Sequence, residues 1–357
     1  MALPVSDADR VGRIARAGLD HVALQLEADA LMRADVGYDV VAWGTVDPAA
    51  LLITGCTPIG AHPHSPELHL RNFDIEHLCG EPLTIRTLLG RDQPVASLRD
   101  EVLDIERTRR YQEFLAPYDF VDELVAVLRV DGRCWGAVRA YRHDEPFTAR
   151  DRASFASVSG TLAAGLRRVF LHAATEHPLA LDDPPGMCTL DREGRVVACT
   201  RPAHDWLDSL MGEGSVTAIL QSLAGRVAEH GDASAVAVGR RGPIALHATC
   251  IGADGEMAVV IERPRPIQLT PRIMEAYGLT AREMHVTELV LRGLTTAQIA
   301  HEAGISRYTV QDHLKSIFAK VGVQTRGELA HEIYVRFYLP PKQAGMTPGP
   351  YGYFLGL

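Results

Sequence analysis

Apolar residues recur at helical spacing in four consecutive segments near the C-terminal end of the chain. They are Val286, Leu289 and Val290; then Ile299, Ala300 and Ala303; then Val310, Leu314, Ile317 and Phe318; then Leu329 and Ile333. Each segment has a start signal. Thr280-x-x-Glu283, Thr295-x-x-Gln298 and Thr325-x-x-Glu328 fit a capping box, in which the hydroxyl caps an N3 amide and the Glu or Gln reaches back. Ser306 stands as a plain N-cap. Between the second and third segments lies Ala303-Gly304-Ile305, where Gly304 can take the left-handed conformation of a tight turn and Ile305 can fall back into the core. The pattern predicts a helix-turn-helix with one helix in front and one behind. With Ile299, Val310 and Leu314 facing inward, the third helix, about 307–320, turns Gln311, Asp312 and Lys315 outward.

Upstream the periodicity is mixed. Residues 8–34 read as one long amphipathic helix with Val11, Ile14, Leu19, Val22, Leu26 and Leu31 as its stripe. Strands are expected over 39–45 and 51–55 about Asp47-Pro48, and over 123–130 and 133–142 about Asp131-Gly132. A His- and Pro-rich loop and helical segments near 71–78 and 83–88 lie between these pairs, and Thr148 caps a helix running to about 171. A Pro-rich linker over 176–185 precedes a hairpin of 187–190 and 195–199. There follow a helix with Trp206, Leu207 and Leu210, a helical stretch over 216–229, and strands over 233–239, 244–251 and 256–262. Pro264 to Pro271 reads as a hinge, with a short helix starting at Thr270-Pro271. The tail after Lys342 is Gly/Pro-rich and uncharged, and is expected to be disordered. The layout is α+β: two antiparallel-sheet domains, 1–175 and 183–263, a linker over 264–278, an all-α domain over 279–340, and a tail over 341–357.

Charge divides the chain in the same way. Residues 264–342 carry ten Arg/Lys and seven Asp/Glu, net +3, whereas the first 263 residues carry −12 of the total −9. A basic end suits a polyanion and an acidic part avoids one. Only three lysines occur, Lys315, Lys320 and Lys342, against 33 arginines. With no lysine before 315, P-loop and pyridoxal-phosphate chemistry are excluded there. Six scattered cysteines without a CxxC are expected to be reduced thiols of a cytoplasmic protein. No apolar run is long enough to span a bilayer, and no signal peptide is evident.

Gln pairs with adenine, Lys donates to guanine and Asp accepts from cytosine, so Gln311, Asp312 and Lys315 are candidate base readers. Ser306, Arg307, Tyr308, Thr309, His313, Lys320 and Arg326 are candidate phosphate contacts. The order Leu-Thr-x-Arg-Glu, Ile-Ala, Gly-Ile-Ser, Thr-Val-x-x-His-Leu, Lys-Val-Gly-Val and Thr-Arg-x-Glu-Leu resembles the LuxR-type DNA-binding domain of bacterial regulators, without a gap over some fifty residues. The resemblance implies a four-helix domain, reading of DNA by Gln311, Asp312 and Lys315, and dimer contacts through the last helix. Thr287 departs from it, where Leu is usual, so looser packing of the first helix is expected. Gly136, and Pro146-Phe147-Thr148-x-x-Asp151 after it, resemble a GAF domain, and MCTLDREGRVVACTRPAHDWL from Met187 resembles the opening of a PAS domain. These likenesses imply a small-molecule pocket or a dimerising scaffold.

Trp43, His77, Cys79, Cys134 and Trp135 are the candidate walls of such a pocket, since pockets are mostly apolar with a few polar groups. His62, His64, His69, His77 and Cys79 crowd one stretch but fit no closed zinc pattern, so no metal is expected. No G-x-S-x-G, HExxH or G-x-G-x-x-G is present, and neither catalysis nor a cofactor is expected. The expectation is therefore a cytoplasmic, nucleoid-associated regulator that binds an imperfect palindrome in double-stranded DNA as a homodimer. A small-molecule effector and RNA polymerase are its further expected partners. The alternatives are a GAF/PAS-like enzyme, or an empty interaction module, fused to a DNA-binding anchor.

Overall fold

The structure is a computed structural model that describes residues 5–60, 75, 82–176, 184–192, 194–212, 214–251, 255–335, 347–348 and 354–355. One compact unit comprises 1–169 and 184–262, and a second comprises 170–183 and 263–357.

The first unit begins with α1 (Val5–Ile14) and α2 (His21–Val36), so the single long helix expected over 8–34 is two. Gly18 at φ +70° breaks it, and Asp20 starts α2 by accepting from the Ala23 amide at 2.8 Å. Then come β1 (Val40–Asp47), β2 (Leu52–Ile59), α3 (Ile85–Leu89), β3 (Val95–Ser97), α4 (Leu98–Glu101), β4 (Asp122–Val130), β5 (Arg133–Arg142) and α5 (Ala149–Glu176). The sheet is antiparallel in the order β2-β1-β5-β4-β3. Asp131 and Gly132, both at positive φ, close the β4–β5 hairpin as expected. Thr148 and Asp151 cap α5 reciprocally, amide to side chain at 2.8 and 3.3 Å. Below the sheet, Leu83, Ile85, Leu88, Phe114 and Phe120 pack on Val125, Val127, Cys134 and Tyr141. The helical segment expected near 71–78 lies outside the described residues, Ile75 excepted.

The second sheet is built from β6 (Gly186–Leu190), β7 (Val196–Cys199), β8 (Asp232–Gly239), β9 (Gly242–Cys250) and β10 (Met257–Glu262), with α6 (Arg201–Leu207) and α7 (Ser215–His230) against it. Its order is β7-β6-β10-β9-β8, the same permutation as the first. Trp206, Leu223, Leu246 and Val259 are in its core, and Leu52 from the first lobe completes that core. Polar contacts join the lobes. The Val236 amide donates to Asp47 Oδ2 at 2.8 Å, Arg226 Nη2 to Ala50 O at 3.1 Å, the Cys56 amide to Ser215 Oγ at 2.9 Å and the Gly214 amide to Cys56 O at 3.2 Å.

Six reduced thiols were expected, and here the structure differs. The β6–β7 register sets Cys188 opposite Cys199, and the two form a disulfide. Cys56, Cys134 and Cys250 remain thiols, and Cys79 lies outside the described residues.

The second unit contains α8 (Pro266–Ala276), α9 (Ala281–Leu291), α10 (Thr296–Ala303), α11 (Arg307–Val321) and α12 (Arg326–Ala330), extended by a wider turn over His331–Val335. The helix expected from Thr270-Pro271 begins earlier. Pro266 follows the N-cap Arg265, and Pro271 falls inside the helix. In the tail, which was expected to be disordered, Thr347–Pro348 pairs with Phe354–Leu355; 343–346, 349–353 and 356–357 lie outside the described residues.

Candidate nucleic-acid interface

The second unit orients α11 by caps, a turn and one buried carboxylate. Thr280 and Glu283 form a complete box, the Thr280 amide donating to Glu283 Oε2 at 2.7 Å and the Glu283 amide to Thr280 Oγ1 at 3.3 Å. Thr295 and Gln298 do the same at 2.9 and 3.4 Å. Ser306 Oγ accepts from the Thr309 amide at 3.0 Å. The third box is only half made, since Thr325 caps Glu328 but the Glu328 carboxylate accepts from the Gln324 amide at 2.7 Å instead. Gly304, at φ 63° and ψ 36°, turns the chain from α10 into α11, and the Ile305 amide closes on Ala300 O at 3.0 Å.

α11 buries Val310, Leu314, Ile317 and Val321 against Val286, Leu289, Val290, Ile299, Leu329 and Ile333, with Met274 of α8 added to the expected core. Burying that stripe turns the opposite face outward. Tyr308, Gln311, Asp312 and Lys315 are exposed on it, Arg307 is exposed at the helix start, and Thr309 and His313 are half-buried at its sides. Lys315 Nζ lies 4.0 Å from Asp312 Oδ1, a pair so open that its energy is slight. Gln311 Nε2 reaches Thr296 Oγ1 at 3.5 Å.

Sequence reasoning missed what Glu283 does beyond its cap. Its buried carboxylate accepts from Ser316 Oγ at 2.6 Å and from Lys320 Nζ at 2.7 Å, both on α11. Burial opposes its ionisation, but Lys320, Ser316 and Thr280 outweigh burial and hold the carboxyl down at about 2. This carboxylate ties the first helix to the third. Thr287, expected to loosen α9, is fully buried and its hydroxyl donates to Glu283 O at 2.8 Å, so the departure from Leu is accommodated inside the helix.

Two candidate phosphate contacts have partners within the domain. Lys320 pairs with Glu283. Arg326 donates to Leu294 O at 2.9 Å and Thr296 Oγ1 at 2.8 Å, closing the last helix on the start of α10.

The expected pocket walls do not share one wall. Trp43 faces α2, its Nε1 donating to Asp29 Oδ1 at 3.3 Å. Cys134 belongs to the core below the sheet, its thiol donating to Gly136 O at 3.4 Å. Trp135 is buried. His77 and Cys79, like His62, His64 and His69, lie outside the described residues. Below the sheet Glu123 is fully buried between Arg110 (3.2 Å) and Arg139 (2.6 Å). Burial pushes its carboxyl up, but the two guanidinium groups outweigh that and leave it below the ordinary range.

Residues 278–333, the stretch that carries this geometry, match the family model described as "Bacterial regulatory proteins, luxR family". Spore germination protein GerE of Bacillus subtilis (strain 168) is 40% identical over 55 residues, which are 15% of this chain and 74% of that protein. The chain belongs to the luxR family. A probable transcriptional regulatory protein, SgaR of Hyphomicrobium methylovorum, is 48% identical over 49 residues, 14% of this chain and 23% of that one. The transcriptional regulatory protein UhpA of Salmonella typhimurium is 39% identical over 56 residues, 16% and 29% of the two chains. Only about a quarter of the length of these two relatives is therefore spanned, and the likeness is to the luxR-type domain. Among the described residues, no helix is long and apolar enough to cross a membrane.

Proposed function

We propose that the chain is a bacterial transcriptional regulator that binds double-stranded DNA through α11. The carrying observation is the exposed polar face of a helix whose other face, caps and turn are all fixed by the domain. A helix held that way enters the major groove with its N-terminal half toward base edges. Gln311, Asp312 and Lys315 then read bases, and Ser306, Arg307, Tyr308, Thr309 and His313 contact phosphates. Lys320 and Arg326, already engaged within the domain, act by holding α11 and α12 in place. The protein binds an imperfect palindrome as a homodimer, since two-fold symmetry asks for two half-sites. It acts in the cytoplasm on the nucleoid, with RNA polymerase as the partner on promoters and no catalytic step of its own. The first unit binds a small-molecule effector.

The test starts from genome-wide mapping of bound sites, followed by gel retardation on one such site and on single-base variants of it. Lys315→Ala should lose about 1–3 kcal/mol and discriminate less at one position of each half-site. Unchanged affinity together with unchanged base preference refutes the assignment.

A further inference from the structure

One hydroxyl of the second unit collects donors from two other helices. Thr296, the first residue of α10, is half-buried. Its Oγ1 accepts from Arg326 Nη2 of α12 at 2.8 Å and from Gln311 Nε2 of α11 at 3.5 Å. This hydroxyl is not needed to start α10, since Thr295 and Gln298 complete that cap between themselves. The other terminal nitrogen of Arg326 donates to Leu294 O at 2.9 Å. Arg326 therefore grips the chain on both sides of the cap residue and holds the Thr296 oxygen in place.

A hydroxyl oxygen can accept twice. Arg326 takes one direction, and the other faces Gln311, which is exposed on α11. Nε2 of Gln311 carries two hydrogens. With one directed at Thr296, the second stays beside Oε1, a donor next to an acceptor. That edge is the complement of adenine, whose N7 accepts and whose N6 donates.

We propose that Thr296 is a positioning residue for base recognition: its hydroxyl, held by Arg326, sets the Gln311 amide in the orientation that reads adenine. The proposal rests on the DNA-reading role of α11 given above, and it names the base and a residue outside α11 that selects it. At 3.5 Å the Gln311 contact is near the outer limit of a hydrogen bond, so it contributes through orientation more than through strength. Presetting one long side chain spares the ordering that binding otherwise costs. It does so only for the base that fits the preset edge.

The experiment is gel retardation of the full-length protein on a mapped site and on all single-base variants of it. The proteins are the wild type, Thr296→Val, Thr296→Ser, Gln311→Ala and the double variant Thr296→Val with Gln311→Ala. Valine keeps the β-branched shape and removes only the hydroxyl. Gln311→Ala should lose a preference for adenine at one base pair of each half-site. Thr296→Val should lower the preference at that same pair by about three- to tenfold, the scale of one side chain left unordered, and leave the other positions as in the wild type. Thr296→Ser should restore it. The double variant should lose no more than Gln311→Ala alone, because both changes act through one amide. A Thr296→Val protein as selective as the wild type overturns the proposal. So does one that weakens all sequences alike, the mark of a phosphate contact or of a purely structural role. A loss that adds to that of Gln311→Ala, or a preference at that pair for a base other than adenine, overturns it too. Failure of the underlying reading looks different: Gln311→Ala itself then keeps the full base preference, and the base-reading assignment of Gln311 falls together with the role of Thr296.

Discussion

Acid should unlock α11 from α9, and the effect can be sized. Glu283 is brought from an ordinary value near 4.5 to about 2 by Lys320, Ser316 and Thr280, against the opposing pull of burial. A shift of that size corresponds to about 3 kcal/mol between the protonated and ionised forms, and screening at half-exposed Lys320 lowers the measurable part to about 2 kcal/mol. Because the folded-state value lies below the unfolded one, this stability is fully present above about pH 5 and is lost as the pH falls toward 2. Glu283→Gln removes the titrating group. It keeps an acceptor for Ser316 and leaves Lys320 without its partner, so the variant starts less stable at pH 7 and shows a flatter acid limb. The assay is urea unfolding of a fragment spanning 263–342, followed by far-UV circular dichroism at pH 7, 5, 3.5 and 2.5. Taking the difference between the two proteins isolates the contribution of position 283. The wild-type advantage should shrink by about 2 kcal/mol across that range. Parallel acid limbs for wild type and variant would refute the claim that Glu283 holds the two helices together.

Lys320→Ala and Arg326→Ala should each destabilise the same fragment but leave the salt dependence of DNA affinity unchanged; a slope flattened by about one unit would make the residue a phosphate contact after all. Gly304→Val should cost about 1–2 kcal/mol by urea unfolding, purely from the backbone, since no atom lies within 4 Å of where its Cβ would stand; a neutral result would mean that the turn relaxes. Trp43→Phe removes one donor from Asp29 and the pyrrole half of a fully buried indole, and should lower the stability of the first unit by about 2–3 kcal/mol in thermal unfolding. Deleting 1–175 should abolish the response of the target promoter to growth condition. An identical response from truncated and full-length proteins would take sensing away from the first lobe.

The C-terminal domain was legible because its signals are local. A Thr three residues before a Glu or Gln, a Gly between two apolar stripes, and a stripe at i, i+4, i+7 each act within one or two turns. What Glu283 does beyond its own cap was not legible, since Ser316 and Lys320 lie more than thirty residues on and only the fold brings them near. The break between α1 and α2 had a local signal, Gly18 followed by Asp20, that the apolar stripe running through it obscured. The buried side of α2 is harder to read, because His21, Gln25 and Asp29 look like a solvated face, yet all three are buried and Asp29 is met by Tyr38 and Trp43. The disulfide needed only the hairpin register. The β6–β7 pairing puts Cys188 opposite Cys199, although no spacing motif marks the pair. Of the pocket walls, residue type suggested the candidates but not their side of the sheet, and Trp43 and Cys134 fall on opposite sides.

The two sheets of the first unit share one strand permutation, yet they meet through unlike parts. The first contributes β2, its outermost strand on one edge, and the second contributes α7 and β8, the strand at its other end. Two like bodies joined head to tail, rather than face to matching face, create each junction feature once. A chain with two sheets of the same kind thus has this junction once, and a substitution at it, unlike one inside either sheet, has no counterpart elsewhere in the chain.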